Sequence, residues 1–336
     1  MKQVRWGILL PMRIVLFVSY ICSAMLIFAR DVIVSQGGEG DFRTIGEALK
    51  QAPDQATKPY VIRLRKGVYR EKVFIDKPFI TLEGEDRETT QIVYPILWRA
   101  WEKESKPSTD NADIRWGCAT VNLSPRANDC TLNGLTIYNN YGSTIENTVD
   151  HQFAVFGRST RVIITQCNIY SDGSDTLSLW NKEAGMYYHA DCHFRSRGVD
   201  YVCPRGWCYI TRCRFEGAAY AHLWHDGSGD PKQKFVINDS TFESNVPSVL
   251  GRYHKEHCFY LVNCVFKQKM KDVPIQYAYS DRKPVLQWGE RVYFLKCRNL
   301  VGPPFAWARD NSPLPVEQFT ANWTFDGRWD PERRRD

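Results

Sequence analysis

Two aspartates in the middle of the chain have the type and spacing for acid–base chemistry. Asp175 closes the polar half of SDGSDTLSLW (residues 171–180), and Asp200 sits in GVDYVC, 25 residues further on. Carboxyl groups brought close together cannot ionise independently: one keeps its proton while the other carries the charge. Such a pair supplies a general acid together with a base or nucleophile. Asp172, in the same stretch, reads as a turn residue, because Asp and Gly both favour tight turns. The chemistry therefore requires an architecture that superposes residues about 25 positions apart.

A repeat of that length runs through the chain. The segments CTLNGLTIYN, RVIITQCNIYS, MYYHADCHFRS, WCYITRCRFEG, FVINDSTFES, FYLVNCVFKQ and VYFLKCRNL follow one another at intervals of roughly 21 to 33 residues. Each joins an apolar, β-prone run to one or two polar residues, then usually Cys, then another apolar residue. Short β-rich units repeated at this period predict a solenoid of the parallel β-helix type. The gaps lack helical periodicity, which disfavours βαβ units. Equivalent positions in adjacent coils lie about 4.8 Å apart, so Asp175 and Asp200 are expected to stack on the outer face. Cys167, Cys192, Cys213, Cys264 and Cys297 share one place in the repeat, with Ser240 standing in once. They predict an internal ladder of small packing residues. The coil spacing is also near disulfide reach, and Cys192–Cys213 is the candidate bridge. Neither Cys203, Cys208 and Cys213 nor the His222/His225 pair has the spacing of a compact zinc motif. No metal or other cofactor is expected.

The flanks are read separately. Residues 1–29 carry Lys2, Arg5 and Arg13, no acid, and a mostly apolar run from Ile14. They predict a secretory signal peptide cleaved near Ala29, or a retained N-terminal anchor, ahead of a single domain over residues 30–336. The expected location is extracellular or periplasmic, where disulfides are permitted. Cleavage lowers the formal charge from +6 to about +3. The Arg-rich tail then reads as a solvated surface, and there is no nucleic-acid motif. TIGEALKQA has a capping box at Thr44 and Glu47 and predicts a short helix ending before Pro53, placed to cap one end of the solenoid. Residues 95–117 read as an inserted loop. Asn122, Asn238 and Asn322 lie in N-x-S/T sequons.

Several ordered motifs together resemble the pectin methylesterase (pectinesterase) family over nearly all of residues 31–331. GEGDFRTIGEALKQAP and GVYREKV are similar to its entry motifs. Gln152 in HQFAV, Asp175 in GSDTL, Asp200 in GVDYV and Arg252 in LGRYHKE match its successive site motifs, and VEQFTANWTFDGRWDP resembles its C-terminal segment. The resemblance implies an all-β, right-handed parallel β-helix acting as a carbohydrate esterase on methylated polygalacturonate (pectin), as a monomer. It implies Asp200 as nucleophile on the methyl ester carbonyl, and Asp175 as acid towards leaving methanol and then base towards water. It further implies Arg252 as the ion-pair partner of Asp200, and Gln152 as a ligand of the oxyanion.

The chain departs from the family at four points. Ser174 stands where a glutamine oxyanion donor is usual, and loss of one such donor typically costs about 10²–10³ in rate. Tyr253 and His254 follow Arg252 in place of a sugar-packing tryptophan and are the candidates for stacking on a ring. One extra residue precedes Asp200, and the Asp175–Asp200 interval is long. These departures keep two further readings in play: a polysaccharide-binding β-helix with weakened catalysis, and an esterase or thioesterase with another ester substrate.

Overall fold

The repeated segment is two short strands joined by a corner of the fold. The computed structural model describes residues 31–104, 116–226, 230–253, 255–277 and 286–333. Among them, 27 strands form three sheets of ten, nine and eight strands. Representative pairings join strands of consecutive coils in parallel. One coil runs through Val162–Thr165 in the ten-stranded sheet and Asn168–Ser171 in the nine-stranded sheet, then enters the eight-stranded sheet at Leu177–Leu179. The next coil repeats this as Met186–Ala190, His193–Ser196 and Val202–Pro204. This is the parallel β-helix expected.

From residue 162 on, each corner between the ten- and nine-stranded sheets turns on one residue with positive φ. These are Gln166, Asp191, Arg212, Asp239, Asn263 and Lys296, with φ between 47° and 57°. Each directly precedes Cys167, Cys192, Cys213, Ser240, Cys264 or Cys297. A single left-handed residue bends the chain sharply and sends the next side chain inward. That is why the motif reads apolar, polar, Cys. Interior side chains stack through the coils, as in Phe194–Phe215–Phe242–Phe266 with ring centroids 4.5–5.8 Å apart.

The candidate Cys192–Cys213 bridge is corrected: both thiols are free. Cys192 Sγ donates to Ala190 O at 3.3 Å and to Ile164 O, one coil back, at 3.4 Å. Cys213 Sγ donates to Thr211 O at 3.2 Å and accepts from Cys192 N. The serine at 240 fits this role, accepting from Cys213 N. Burial raises the Cys213 thiol well above its ordinary range, which suppresses the thiolate that disulfide chemistry needs.

The N-terminal helix is Ile45–Gln51, and its capping box is formed. Glu71 of the GVYREKV segment completes the cap, accepting from Ile45 N and Gly46 N at 3.1 Å. Ile45, Ala48 and Leu49 are buried against the first coils. The inserted loop is also corrected, since Trp98–Glu104 is a helix. Its Trp98 and Trp101 pack on Phe153 and Phe156 of the eight-stranded sheet. Asn122 is wholly buried and bonded to Val73 O and Ala119 O, so its sequon is closed to modification in the folded chain. In the C-terminal segment, Phe319, Phe325 and Trp329 cluster with Tyr188, Tyr209 and Tyr260 of the ten-stranded sheet. Among the described residues no helix is long and apolar enough to cross a membrane. The signal or anchor segment, residues 1–29, lies outside the described residues.

Candidate active site

Asp175 and Asp200 occupy the same position in consecutive coils because the same turn is built twice. Ser171-x-Gly173-x-Asp175 and Ser196-x-Gly198-x-Asp200 each lead from the nine-stranded into the eight-stranded sheet. Ser171 Oγ accepts from Gly173 N and donates to Gln152 O one coil back, at 2.6 Å. Ser196 Oγ accepts from Gly198 N and donates to Gly173 O, at 2.7 Å. The glycines allow adjacent turns to approach: a Cβ on Gly173 would lie 2.0 Å from Asp150 O, and one on Gly198 would lie 2.4 Å from Ser174 N. Asp175 and Asp200 each have φ of 62°, an uncommon conformation for which Asp is enriched. Asp175 N donates to Val199 O at 3.0 Å, which fixes the register between the turns. Asp172 is a turn residue, and its Oδ1 accepts from Tyr138 Oη at 2.8 Å.

Cys203 links the two turns: its thiol donates to the Asp200 main-chain carbonyl and lies beside the Asp175 carboxyl. Cys203 Sγ lies 3.0 Å from Asp200 O and 3.7 Å from Asp175 Oδ1. The Asp200 side chain is 5% exposed, and that of Asp175 14%. Arg252 reaches Asp200 from two coils further on. Its Nη2 donates to Asp200 Oδ2, and its Nε lies 3.4 Å from Oδ1. The guanidinium also lies 5.2 Å from the centre of the Trp224 ring. Trp224 and Arg252 are paired in register on adjacent strands, and Trp224 is anchored by Nε1 donating to Asp226 Oδ1 at 2.9 Å.

Burial pushes the Asp200 carboxyl up to about 7, with the Arg252 guanidinium opposing and the neighbouring Asp175 charge adding to the rise. Burial likewise raises Asp175, against His151 and then Cys203, Arg205 and Arg252. These values describe the pair as a unit. Both carboxyls hold their protons above the ordinary aspartate range, and where the pair keeps a single proton that proton is shared. The guanidinium on Asp200 holds the negative charge there and leaves the proton on Asp175. The arrangement can present a carboxylate nucleophile beside a carboxylic acid.

Three other expected site residues are placed elsewhere. Ser174 Oγ donates to Val149 O at 2.9 Å and accepts from Val199 N at 3.2 Å. It staples three successive coils and has no free proton for an oxyanion. Gln152 is wholly buried; its Oε1 accepts from Gly142 N and its Nε2 donates to Thr148 O. It ties the short helix Tyr141–Thr144 to the segment that follows it. Tyr253 is 3% exposed, with His257 and Tyr277 rings 3.9 and 4.5 Å away. Strand alternation sends it inward while Arg252 points out, so the half-buried aromatic beside the arginine is Trp224. His254 lies outside the described residues. Of the cysteines and histidines weighed as ligands, Cys208 and Cys213 belong to the core, Cys203 lines the site, and His222 bonds Glu243 O and Val249 O.

The sequence reading missed a second set of residues. His151 Nε2 lies 3.6 Å from Asp175 Oδ2, its Nδ1 lies 2.8 Å from Asp150 Oδ1, and Asp150 Oδ2 pairs with Arg99 Nε at 2.8 Å. The signal was present in VDHQF, where an Asp-His pair directly precedes Gln152. The duplicated S-x-G-x-D was equally visible. Arg99 could not be found, since it lies in the segment taken for a loop.

A profile of the family described as Pectinesterase matches residues 31–219, more than half of the chain. The chain belongs to the pectinesterase family. Among its pectinesterase relatives is probable pectinesterase 67 of Arabidopsis thaliana, 26% identical over 187 residues, covering 55% of this chain and 48% of the relative. The chain spans about half the length of the curated pectinesterases it matches. Pectin methylesterase from carrot superposes with a TM-score of 0.66 at 19% identity, covering 88% of this chain and 93% of the other. A pectin methylesterase in complex with a hexasaccharide superposes with a TM-score of 0.67 at 19% identity, covering 90% and 98%. These structural likenesses place the fold in the pectinesterase β-helix.

Proposed function

We propose that this chain is an exported esterase that hydrolyses methyl esters of galacturonate in pectin. The observation that carries the reading is the pair of aspartates at equivalent positions in adjacent coils, with Arg252 bonded to only one of them. That asymmetry separates the roles. Asp200, held ionised by the guanidinium, attacks the ester carbonyl. Asp175 gives its proton to the methoxy oxygen, the C–O bond breaks, and methanol leaves an acyl–Asp200 anhydride. Asp175, now a carboxylate, takes a proton from water as the hydroxide adds to the sugar carbonyl. Collapse frees the galacturonic acid, restores the Asp200 carboxylate and leaves Asp175 protonated. Membership of the pectinesterase family supports this substrate class, and no cofactor is needed for any step.

The test is methanol release from highly methylated pectin. Wild type should release it, with Asp200→Asn and Asp175→Asn each reduced by about 10³ or more. Equal release by wild type and Asp200→Asn would sink the reading. A second reading, pectin binding without turnover, is favoured by one observation: Ser174 and Gln152 are both committed to backbone partners and leave the oxyanion without their side chains. Binding of pectin by wild type with no methanol release would select it.

A further inference from the structure

Two side chains that can handle a proton lie beside Asp175 in addition to Asp200: the Cys203 thiol at 3.7 Å and His151 Nε2 at 3.6 Å. The histidine is not a free rotor. Its Nδ1 lies 2.8 Å from Asp150 Oδ1, which also accepts from the His151 backbone N at 2.8 Å. Asp150 Oδ2 is held by Arg99 Nε at 2.8 Å. Trp98, from the same helix as Arg99, sets its ring edge-on to the imidazole at 5.3 Å.

These contacts fix the tautomer. Burial works against ionisation of Asp150, but the hydrogen bonds from His151 and the charge of Arg99 hold its carboxyl below the usual range. An ionised carboxylate only accepts, so Nδ1 carries hydrogen. Nε2 is then the atom that gains or loses a proton, and it is the atom aimed at Asp175. The imidazole is 38% exposed against 14% for the Asp175 side chain, so the ring stands between the buried acid and solvent.

We propose that His151 is a positioning residue that shares the catalytic proton of Asp175, with Asp150 and Arg99 holding the ring to that task. The inference rests on the esterase reading above. The proton has two resting places of equal total charge: Asp175 as acid beside neutral imidazole, and Asp175 as carboxylate beside imidazolium. After methanol leaves, Asp175 is a carboxylate. The proton it then takes from water restores the first state, and exchange through Nε2 keeps a buried acid in balance with solvent. Other groups bear on the same proton. Asp200 and Arg252 face it from the later coils, and Cys203 and Arg205 flank it on the strand after Asp200. His151 joins Asp175 to a carboxylate–guanidinium anchor, through Asp150 and Arg99.

The test uses the full-length protein. His151→Gln keeps size and polarity but cannot carry charge, and the site's partial exposure makes the change tolerable to the fold. Removing a positive neighbour lets both carboxyls hold protons to higher pH. The alkaline limb of methanol release should therefore move up by about one pH unit. The expected kcat falls about tenfold with KM within about twofold, less than full loss of a general acid. Asp150→Asn leaves the ring in place and should shift the limb in the same direction, by less. An unmoved limb in His151→Gln overturns the inference whatever the rate. If Asp200→Asn is inactive in the same assay, the esterase reading stands regardless. The coupling is also read without turnover: the ¹³C-carboxyl titration of Asp175, assigned with Asp175→Asn, should move up by about one unit in His151→Gln. An unchanged midpoint there overturns the inference even in a protein that releases no methanol.

Discussion

Arg252→Ala should move the working pH range of this protein rather than simply abolish activity. Arg252 touches Asp200 through Nη2 on Oδ2 and through Nε at 3.4 Å from Oδ1, and the two side chains are 24% and 5% exposed. At about 3.4 Å and an effective permittivity of about 20, Coulomb attraction is roughly 5 kcal/mol. Desolvation of the guanidinium takes back part of that, leaving about 2 pH units, or about 3 kcal/mol, within the usual range for a carboxyl beside arginine. The pair, which ends its ionisation near 7 in wild type, would end it near 9, and its first ionisation would rise by a similar amount. Towards the acid end of the range both carboxyls would then hold protons, and methanol release should fall there by up to about 100-fold. It should recover in part as the pH is raised. Arg252→Lys should restore part of the shift, because an ammonium supplies charge without the two-pronged geometry. The assay is initial-rate methanol release across pH 5–10. An equal loss at every pH would mean that the guanidinium acts on the ester and not on Asp200. Retention of the wild-type profile within about threefold would refute the ion-pair argument outright.

Three further outcomes follow from the same contacts. Ser174→Gln should not raise activity, because the hydroxyl at that position staples Val149 and Val199; it should cost about 1–3 kcal/mol in urea unfolding, and a gain in methanol release would show that the side chain faces the groove. Gly198→Ala should lower both Tm and activity, since its Cβ would meet Ser174 N at 2.4 Å directly above the Asp175 turn; an unchanged Tm would refute the close approach. The Asp175 and Asp200 carboxyls are both raised above their unfolded values, so the stability they contribute is full below about pH 4 and is lost as the pH rises through their folded values, about 7 for Asp200. Asp200→Asn should accordingly lose less Tm than wild type between pH 4.5 and pH 8, a difference worth a few kcal/mol, and parallel curves would contradict it.

Much of the site was legible because it is written twice. Asp175 and Asp200 were found from a 25-residue interval within a repeat of β-prone segments, and they stack because the coils are regular. Arg252 was found by motif order, and it does bond Asp200. The errors share one cause: a motif names a position but not the direction of its side chain. Ser174, Gln152 and Tyr253 each lie within a residue of the expected place. Each is turned into backbone bonds or core packing by strand alternation and by the close approach of neighbouring coils. The cysteine ladder was read correctly as packing. The bridge it suggested fails because each thiol is engaged by carbonyls of its own and the preceding coil.

Sequence alone determined the period, the small inward residue of each repeat and hence the solenoid. A left-handed residue followed by a small inward one is a local requirement, and local requirements are carried by residue type. It also determined which two acids could meet, since stacking in a solenoid is set by interval. Only the tertiary structure decided which polar groups remain free to act. The hydrogen-bond partners of Ser174 lie 25 residues away on either side, and Arg99 reaches His151 only through Asp150, from a helix laid across the sheet. A side chain with several donors or acceptors bonds to whatever the fold brings nearest, and that neighbour is not encoded in its own segment.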